Sequence, residues 1–233
     1  MNVLSLFIEE VKTSWKQWWS VKNFKLHLLS TIILFGTVMY FSCLYLSIWE
    51  ARNGIIIEDP LLNMLSPRDF SIPIFFIVHS STIITFILLQ KNPPLLLKAF
   101  QGYSIALLLR TISIYIVALE PPKGMIFLND PITGTFLNSV HVVTKDLFFS
   151  GHISAMCVYI YFAQNNFWKR YLMFITPILA AMILWQHVHY TLDIIAAPFF
   201  TYLSCKLIEK LHEKSEFGID NLSTRLKEIH ESK

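Results

Sequence analysis

His189 and Asp193 stand four residues apart, the spacing that puts two side chains on one helix face one turn apart. A carboxylate so placed accepts a hydrogen bond from one imidazole nitrogen and presents the other as a base or nucleophile. The same pair could instead serve as a helix-capping hydrogen bond. Ser150-Gly151-His152 forms a second group. A glycine lets backbone approach a ligand closely. The first N–H groups of a helix lack intrahelical partners and attract anions. His152 adds a second imidazole, and Arg110 adds a planar cationic fork suited to phosphate. Two imidazoles, a carboxylate, an arginine and a helix start point to phosphoryl chemistry, with one histidine attacking phosphorus and the other handling the proton of the leaving alcohol. His152, His189 and Asp193 are the expected catalytic residues, and Arg110, Ser150 and Gly151 the expected phosphate-binding residues. Asp146 and Tyr190 are expected to support them. A metal site is not expected. His187 and His189 are two apart and point to different faces, and Arg110 would repel a cation. No cofactor is implied.

These residues must be positioned by elements of unusual composition. The 233 residues are 54% hydrophobic and 15% charged, with a mean hydropathy of +0.51. A soluble globular domain carries about 25% charge. Disorder and a small disulfide scaffold are excluded, an ordinary soluble enzyme is disfavoured, and a multi-pass membrane protein remains. Lys25 and Glu50 bracket 24 residues free of Asp, Glu, Lys and Arg, and Asp69 and Lys91 bracket 21 more. A spanning helix needs roughly 20 such residues. Six spans follow, at 27–48, 71–90, 99–119, 147–164, 171–187 and 190–208, the last two separated by a break at His187-Val188-His189. The expected fold is all-α, a polytopic membrane protein of six transmembrane helices with an N-terminal interfacial amphipathic helix.

Residues 1–25 hold Leu4, Phe7, Ile8, Val11, Trp15, Trp18 and Trp19 at helical spacing opposite charged residues, a pattern for a helix lying in the membrane interface. Glu9 and Glu10 interrupt any signal-peptide core. The chain thus divides into an interfacial segment (1–25), a transmembrane catalytic domain (26–208) and a polar cytoplasmic tail (209–233). With the N-terminus inside, 14 of the 19 Lys and Arg fall in inner segments and 4 in the outer loops 49–70 and 120–146. The positive-inside rule then makes both termini cytoplasmic. The net charge of +3 reflects these inner loops and not nucleic-acid binding. On this orientation Arg110, Asp146, His152, His189, Asp193 and His79 all fall in the outer half of the membrane. Intramembrane ionisable groups are costly and mark function. His79 and His187 are read as interhelical hydrogen-bonding residues, and Cys43, Cys157 and Cys205 as apolar fillers.

Lys145–His152, K-D-L-F-F-S-G-H, and His189–Asp193, H-Y-T-L-D, resemble the signature segments of sphingomyelin synthases, within the type-2 phosphatidic acid phosphatase superfamily. Arg110–Pro122 is also similar to a family segment, and Asp59-Pro60-Leu61-Leu62 with Asp69-Phe70-Ser71 more loosely so; the similarity covers roughly residues 59–205. The resemblance implies six spans with the site on the extracytoplasmic face. It also implies a phosphohistidine on His189 oriented by Asp193, with His152 protonating the leaving lipid alcohol and deprotonating the acceptor. The partners implied are a phospholipid donor, a lipid-alcohol acceptor and the bilayer. The Lys-x6-Arg-Pro motif of ordinary lipid phosphatases is absent, which favours transfer over hydrolysis. No interaction domain precedes the spans, which suits a compact relative in a bacterial cytoplasmic membrane. Hydrolysis of phosphatidic acid or a related lipid phosphate stands as the alternative activity, and a non-catalytic lipid-binding or transport helper as the alternative class.

Overall fold

The computed structural model describes residues 2–21, 23–128 and 144–214. Its elements are α1 (Val3–Trp19), α2 (Phe24–Ala51), the single turn α3 (Pro60–Asn63), α4 (Ser71–Leu89), α5 (Pro93–Ile116), α6 (Gly151–Phe162), α7 (Asn166–Trp185) and α8 (Thr191–Lys214). Among the described residues, α2, α4, α5, α7 and α8 are each long and apolar enough to cross a membrane. The chain is an all-α polytopic protein, and the two sheet-like hydrogen bonds between Ile55 and the 118–120 segment form an isolated bridge.

The helices start where the sequence supplies acceptors for their unpaired N–H groups. Asp69 Oδ1 accepts from the Ser71 amide at 2.8 Å, Asn92 from Leu95 and Asn165 from Trp168 at 2.9 Å. Pro93 sits at the first position of α5, where its missing N–H costs nothing. At the other end of α5, Arg52 donates to the carbonyls of Ile114 and Tyr115, acceptors that the helix end leaves unmet. The bundle is centred on α5 and α8. These pack against each other and against α6, and α2 packs on the outer side of α5. Ile74, Phe149, Ile153, Met156, Leu172, Leu179 and Ile183 form the largest buried cluster.

The fourth expected span differs from expectation. Residues 147–150 are not helical, and α6 covers only Gly151–Phe162. At 1.5 Å per residue, twelve residues reach about 18 Å, short of a hydrocarbon core of about 30 Å. The Lys145–Ser150 segment instead runs irregularly, with bends at Phe148 and Phe149, held by side chains from other elements. Glu50 accepts from the Thr144 and Lys145 amides at 2.9 and 3.1 Å, and Lys145 Nζ donates to Glu120 at 2.9 Å and to the Arg52 carbonyl at 2.7 Å. Apolar composition alone could not reveal that this stretch takes its hydrogen bonds from neighbours.

The segments that follow α2 and α5 are joined by close backbone approach. A Cβ at Gly54 would stand 2.6 Å from the Leu119 carbonyl carbon, so only glycine fits there. Gln186, fully buried after α7, accepts from the Phe70 amide at 2.9 Å and donates to Ser71 Oγ at 2.9 Å. α1 lies at the opposite end of the bundle, where Trp15 Nε1 donates to Gln90 and Glu10 pairs with Lys91. Val3, Leu4, Leu6, Ile8 and Trp19 are exposed on it. Helix α8 runs beyond the expected end of the last span, taking in the first six residues assigned to the tail. The remainder of that tail, and residues 129–143 of the outer loop, lie outside the described residues.

Candidate active site

Residues 186–190 break the chain between α7 and α8, and His187 takes a left-handed φ of 57°. This sharp turn places His189 just before α8, with its ring on the wall of a cavity of about 500 Å³. His189 donates from Nδ1 to Asp193 Oδ2 at 3.2 Å, and the same oxygen accepts from the Tyr190 amide at 3.1 Å. Asp193 thus meets both roles its spacing allowed. It caps the start of α8 by reaching back to the residue before the helix, and it holds the imidazole. With the carboxylate bound at Nδ1, the neutral ring carries its lone pair on Nε2. Asp193 is wholly buried behind His189, and its Oδ1 has no hydrogen-bond partner among the described residues.

The turn is fixed from several sides. Tyr190 Oη donates to the Glu120 carbonyl at 3.0 Å, and Asp59 accepts from Thr191 twice. Burial works to raise the Asp59 pKa, but hydrogen bonds from Thr191, Leu62 and Leu61 outweigh it and leave the group below the ordinary carboxylate value. His187 turns away from the cavity, its ring nitrogens facing the carbonyls of Lys123 and Leu65 at 2.8 and 3.2 Å.

The opposite wall begins at the start of α6. Gly151 and His152 line the cavity, and the His152 ring meets Phe75 edge-on at 5.9 Å. Ser150 lies behind this wall, fully buried, with its Oγ unpartnered among the described residues and its amide donating to the Asp193 carbonyl at 3.2 Å. No side chain caps α6, so its first N–H groups open where Gly151 and His152 meet the cavity.

Arg110 contacts three atoms of the irregular 145–150 segment. It donates from Nη1 to Asp146 Oδ1 at 2.5 Å, from Nη2 to the Asp146 carbonyl at 2.9 Å and from Nε to the Phe149 carbonyl at 2.6 Å. The guanidinium holds the segment that leads into Ser150-Gly151-His152 and also lines the cavity. The ion pair with Asp146, named as a supporting residue, offsets part of its charge. A Cβ at Gly151 would lie 3.5 Å from Arg110 Nε, so the glycine keeps the space before the guanidinium open.

The structure therefore brings His152, His189, Arg110, Asp146 and Gly151 to one cavity, with Asp193, Ser150 and Tyr190 behind it. It adds His79, which lines the same wall and stacks on Phe75 at 5.6 Å, and the hydroxyl-bearing Thr82, Tyr103 and Tyr159. These three sit in apolar runs at positions that any buried helix residue could occupy, so spacing held no signal for them. Gln186 and Asp59 could have been noticed, Gln186 as a polar residue amid apolar ones and Asp59 as an acid followed by proline at a helix start. Among the described residues, no group of three or more His, Cys, Asp or Glu is placed to hold a metal ion.

Residues 145–211 match the family model for the PAP2 superfamily C-terminal region. The matched stretch contains His152, His189, Asp193 and all of α6 and α7. It supports the type-2 phosphatidic acid phosphatase superfamily, and that likeness fits a lipid phosphatase or phosphotransferase. No curated protein matches the chain.

Proposed function

We propose that this protein moves a phospho-headgroup, of the phosphocholine type, from a phospholipid to a lipid alcohol and releases diacylglycerol. The observation that carries the reading is the His189–Asp193 pair on a cavity wall shared with His152, Arg110 and the uncapped start of α6. His189 Nε2 attacks phosphorus, forming an N–P bond as the P–O bond to diacylglycerol breaks. Protonated His152 gives its proton to that departing oxygen. In the second half, neutral His152 takes the proton of the acceptor alcohol, whose oxygen attacks phosphorus and breaks the N–P bond. Arg110 and the α6 amides offset charge on the phosphate oxygens, and Asp193 stabilises the imidazolium character of His189. With water as acceptor the same steps hydrolyse a lipid phosphate, which is the alternative activity. The lysine and arginine count supports a topology with both termini in the cytoplasm and the cavity on the extracytoplasmic face.

Purified protein given headgroup-labelled phospholipids and a panel of lipid alcohols is expected to release diacylglycerol and label an alcohol. His189→Ala is expected to abolish release, and His152→Asn to slow the steps on either side of a labelled protein intermediate. Equal activity in His189→Ala would falsify the nucleophile assignment. Loss of phosphate from phosphatidic acid alone would establish the hydrolytic activity instead.

A further inference from the structure

A second space adjoins the cavity at its hydroxyl-bearing floor. Thr82, Tyr103 and Tyr159 line the cavity and also line this second space, of about 150 Å³, deeper among the helices. That space is walled by Phe35, Phe86, Leu89, Leu96, Phe100 and Val158, and no charged residue lines it. Phe100 meets Phe35 edge-on at 5.4 Å and Phe86 edge-on at 6.2 Å, which closes one side. Leu89 and Leu96 flank the turn between α4 and α5, so the slot points from the cavity toward the far end of the bundle. Seven residues of α5 separate Tyr103 from Leu96, a drop of about 10 Å.

We propose that this slot takes one acyl chain of the phospholipid substrate while the headgroup occupies the cavity above, a proposal that rests on the lipid reading of the site. The Thr82–Tyr159 side of the neck suits an apolar occupant. Thr82 donates its hydroxyl hydrogen to the Val78 carbonyl at 2.8 Å, so the 2.8 Å contact between Thr82 and Tyr159 has Tyr159 as donor. Both hydroxyl hydrogens are engaged within the protein, and a hydrocarbon chain passing them strips neither of a partner. The two spaces adjoin at three shared residues, so a chain leaving a phosphate held beside Arg110 and His189 reaches the slot by passing between Thr82, Tyr103 and Tyr159. In a bilayer the surrounding tails are as apolar as the slot, so its occupation adds little driving force. Its contribution is orientation: a seated chain holds phosphorus at the reacting imidazole.

Headgroup-labelled phospholipids of graded chain length in detergent micelles, from dihexanoyl to dipalmitoyl, test the slot. Ala99 lines it, and Ala99→Phe puts an aromatic ring inside it. The ratio of long-chain to short-chain turnover is expected to fall at least about tenfold in Ala99→Phe, a change of ~1.4 kcal/mol. An unchanged ratio overturns the proposal, including when both rates fall together. Independently, a phospholipid with a photoreactive group near its chain end, irradiated with the wild-type protein, is expected to label peptides bearing Leu96 or Val158. Label confined to exposed residues such as Phe76 and Ile83 overturns it. Failure of the wild type to act on any phospholipid counts against the proposed function, and the crosslinking still decides whether a chain enters the slot.

Discussion

Asp59 accepts two hydrogen bonds from one residue 132 positions along the chain, from the Thr191 amide at 2.7 Å and the Thr191 hydroxyl at 3.0 Å. Its Oδ1 also accepts from the amides of Leu61 and Leu62 at 3.1 and 3.2 Å. One buried carboxylate therefore joins the loop between α2 and α4 to the first residue of α8, two positions after His189. Asp59→Ala leaves these donors unmatched and is expected to lower stability by roughly 1–3 kcal/mol. Turnover should fall with it, because the turn that aims His189 loses its anchor. A thermal melt in detergent together with headgroup release checks both, and wild-type values in each would refute the anchoring role.

Asp193→Asn keeps the shape of the side chain and an acceptor for the Tyr190 amide, so the fold should survive. The amide can instead leave His189 in the wrong tautomer, with Nε2 protonated. A loss of about 10³–10⁴ in turnover is expected, the scale seen when an orienting carboxylate is neutralised in a histidine-based triad. A loss below tenfold at unchanged melting temperature would mean that Asp193 serves only the helix cap.

Arg110 makes three directed bonds that a single ammonium cannot reproduce. Arg110→Lys keeps the charge and loses the fork, and at least about tenfold lower kcat/KM is expected, or ~1.4 kcal/mol. Asp146→Asn should be partly redundant with it. A double variant whose loss equals the sum of the single losses would show that the two side chains do not act together.

Gly151→Ala separates space from structure. The added methyl lies at an ordinary contact distance of 3.5 Å from Arg110 Nε, so the fold accommodates it. Alanine also favours helix over glycine. The melting temperature should hold or rise while turnover falls, because the methyl occupies cavity wall that a phosphate oxygen would approach. Undiminished turnover would place the anion elsewhere in the cavity.

Three loop carboxylates contribute stability that acid removes. Asp59 lies below its ordinary value for the reasons given above, Asp69 because the Ser71 hydroxyl and amide donate to it, and Glu120 because the Lys145 ammonium and the Gly54 amide do. For a carboxylate whose folded pKa is depressed, the stabilisation is complete above the unfolded value, about 4, and is lost as pH falls through the folded value. The melting temperature should therefore be flat from about pH 7 to 5 and fall below about pH 4. Glu120→Gln should reduce that acid sensitivity. A melting temperature that falls between pH 7 and 5 would implicate other groups.

The sequence by itself determined the class of fold, because charge is costly in hydrocarbon and its spacing exposes each apolar helix. The bounds of α4 agree with the charge-free run between Asp69 and Lys91 to one residue. It also brought out His152, His189, Asp193 and Arg110, for the same reason: an ionisable group in an apolar run stands apart from its neighbours. Tertiary structure decided what apolarity could not encode. Residues 147–150 are as hydrophobic as a span, yet they stay outside the helix, where Arg110, from another helix, meets the Phe149 carbonyl and the Asp193 carbonyl accepts from the Ser150 amide. Asp193 divides one oxygen between a ring and a helix cap, a choice set by the turn at His187. Thr82, Tyr103 and Tyr159 meet at the cavity floor only because α4, α5 and α6 pack together there. Periodicity places a residue on a face of its own helix, and the residues it meets across the bundle depend on how the helices dock.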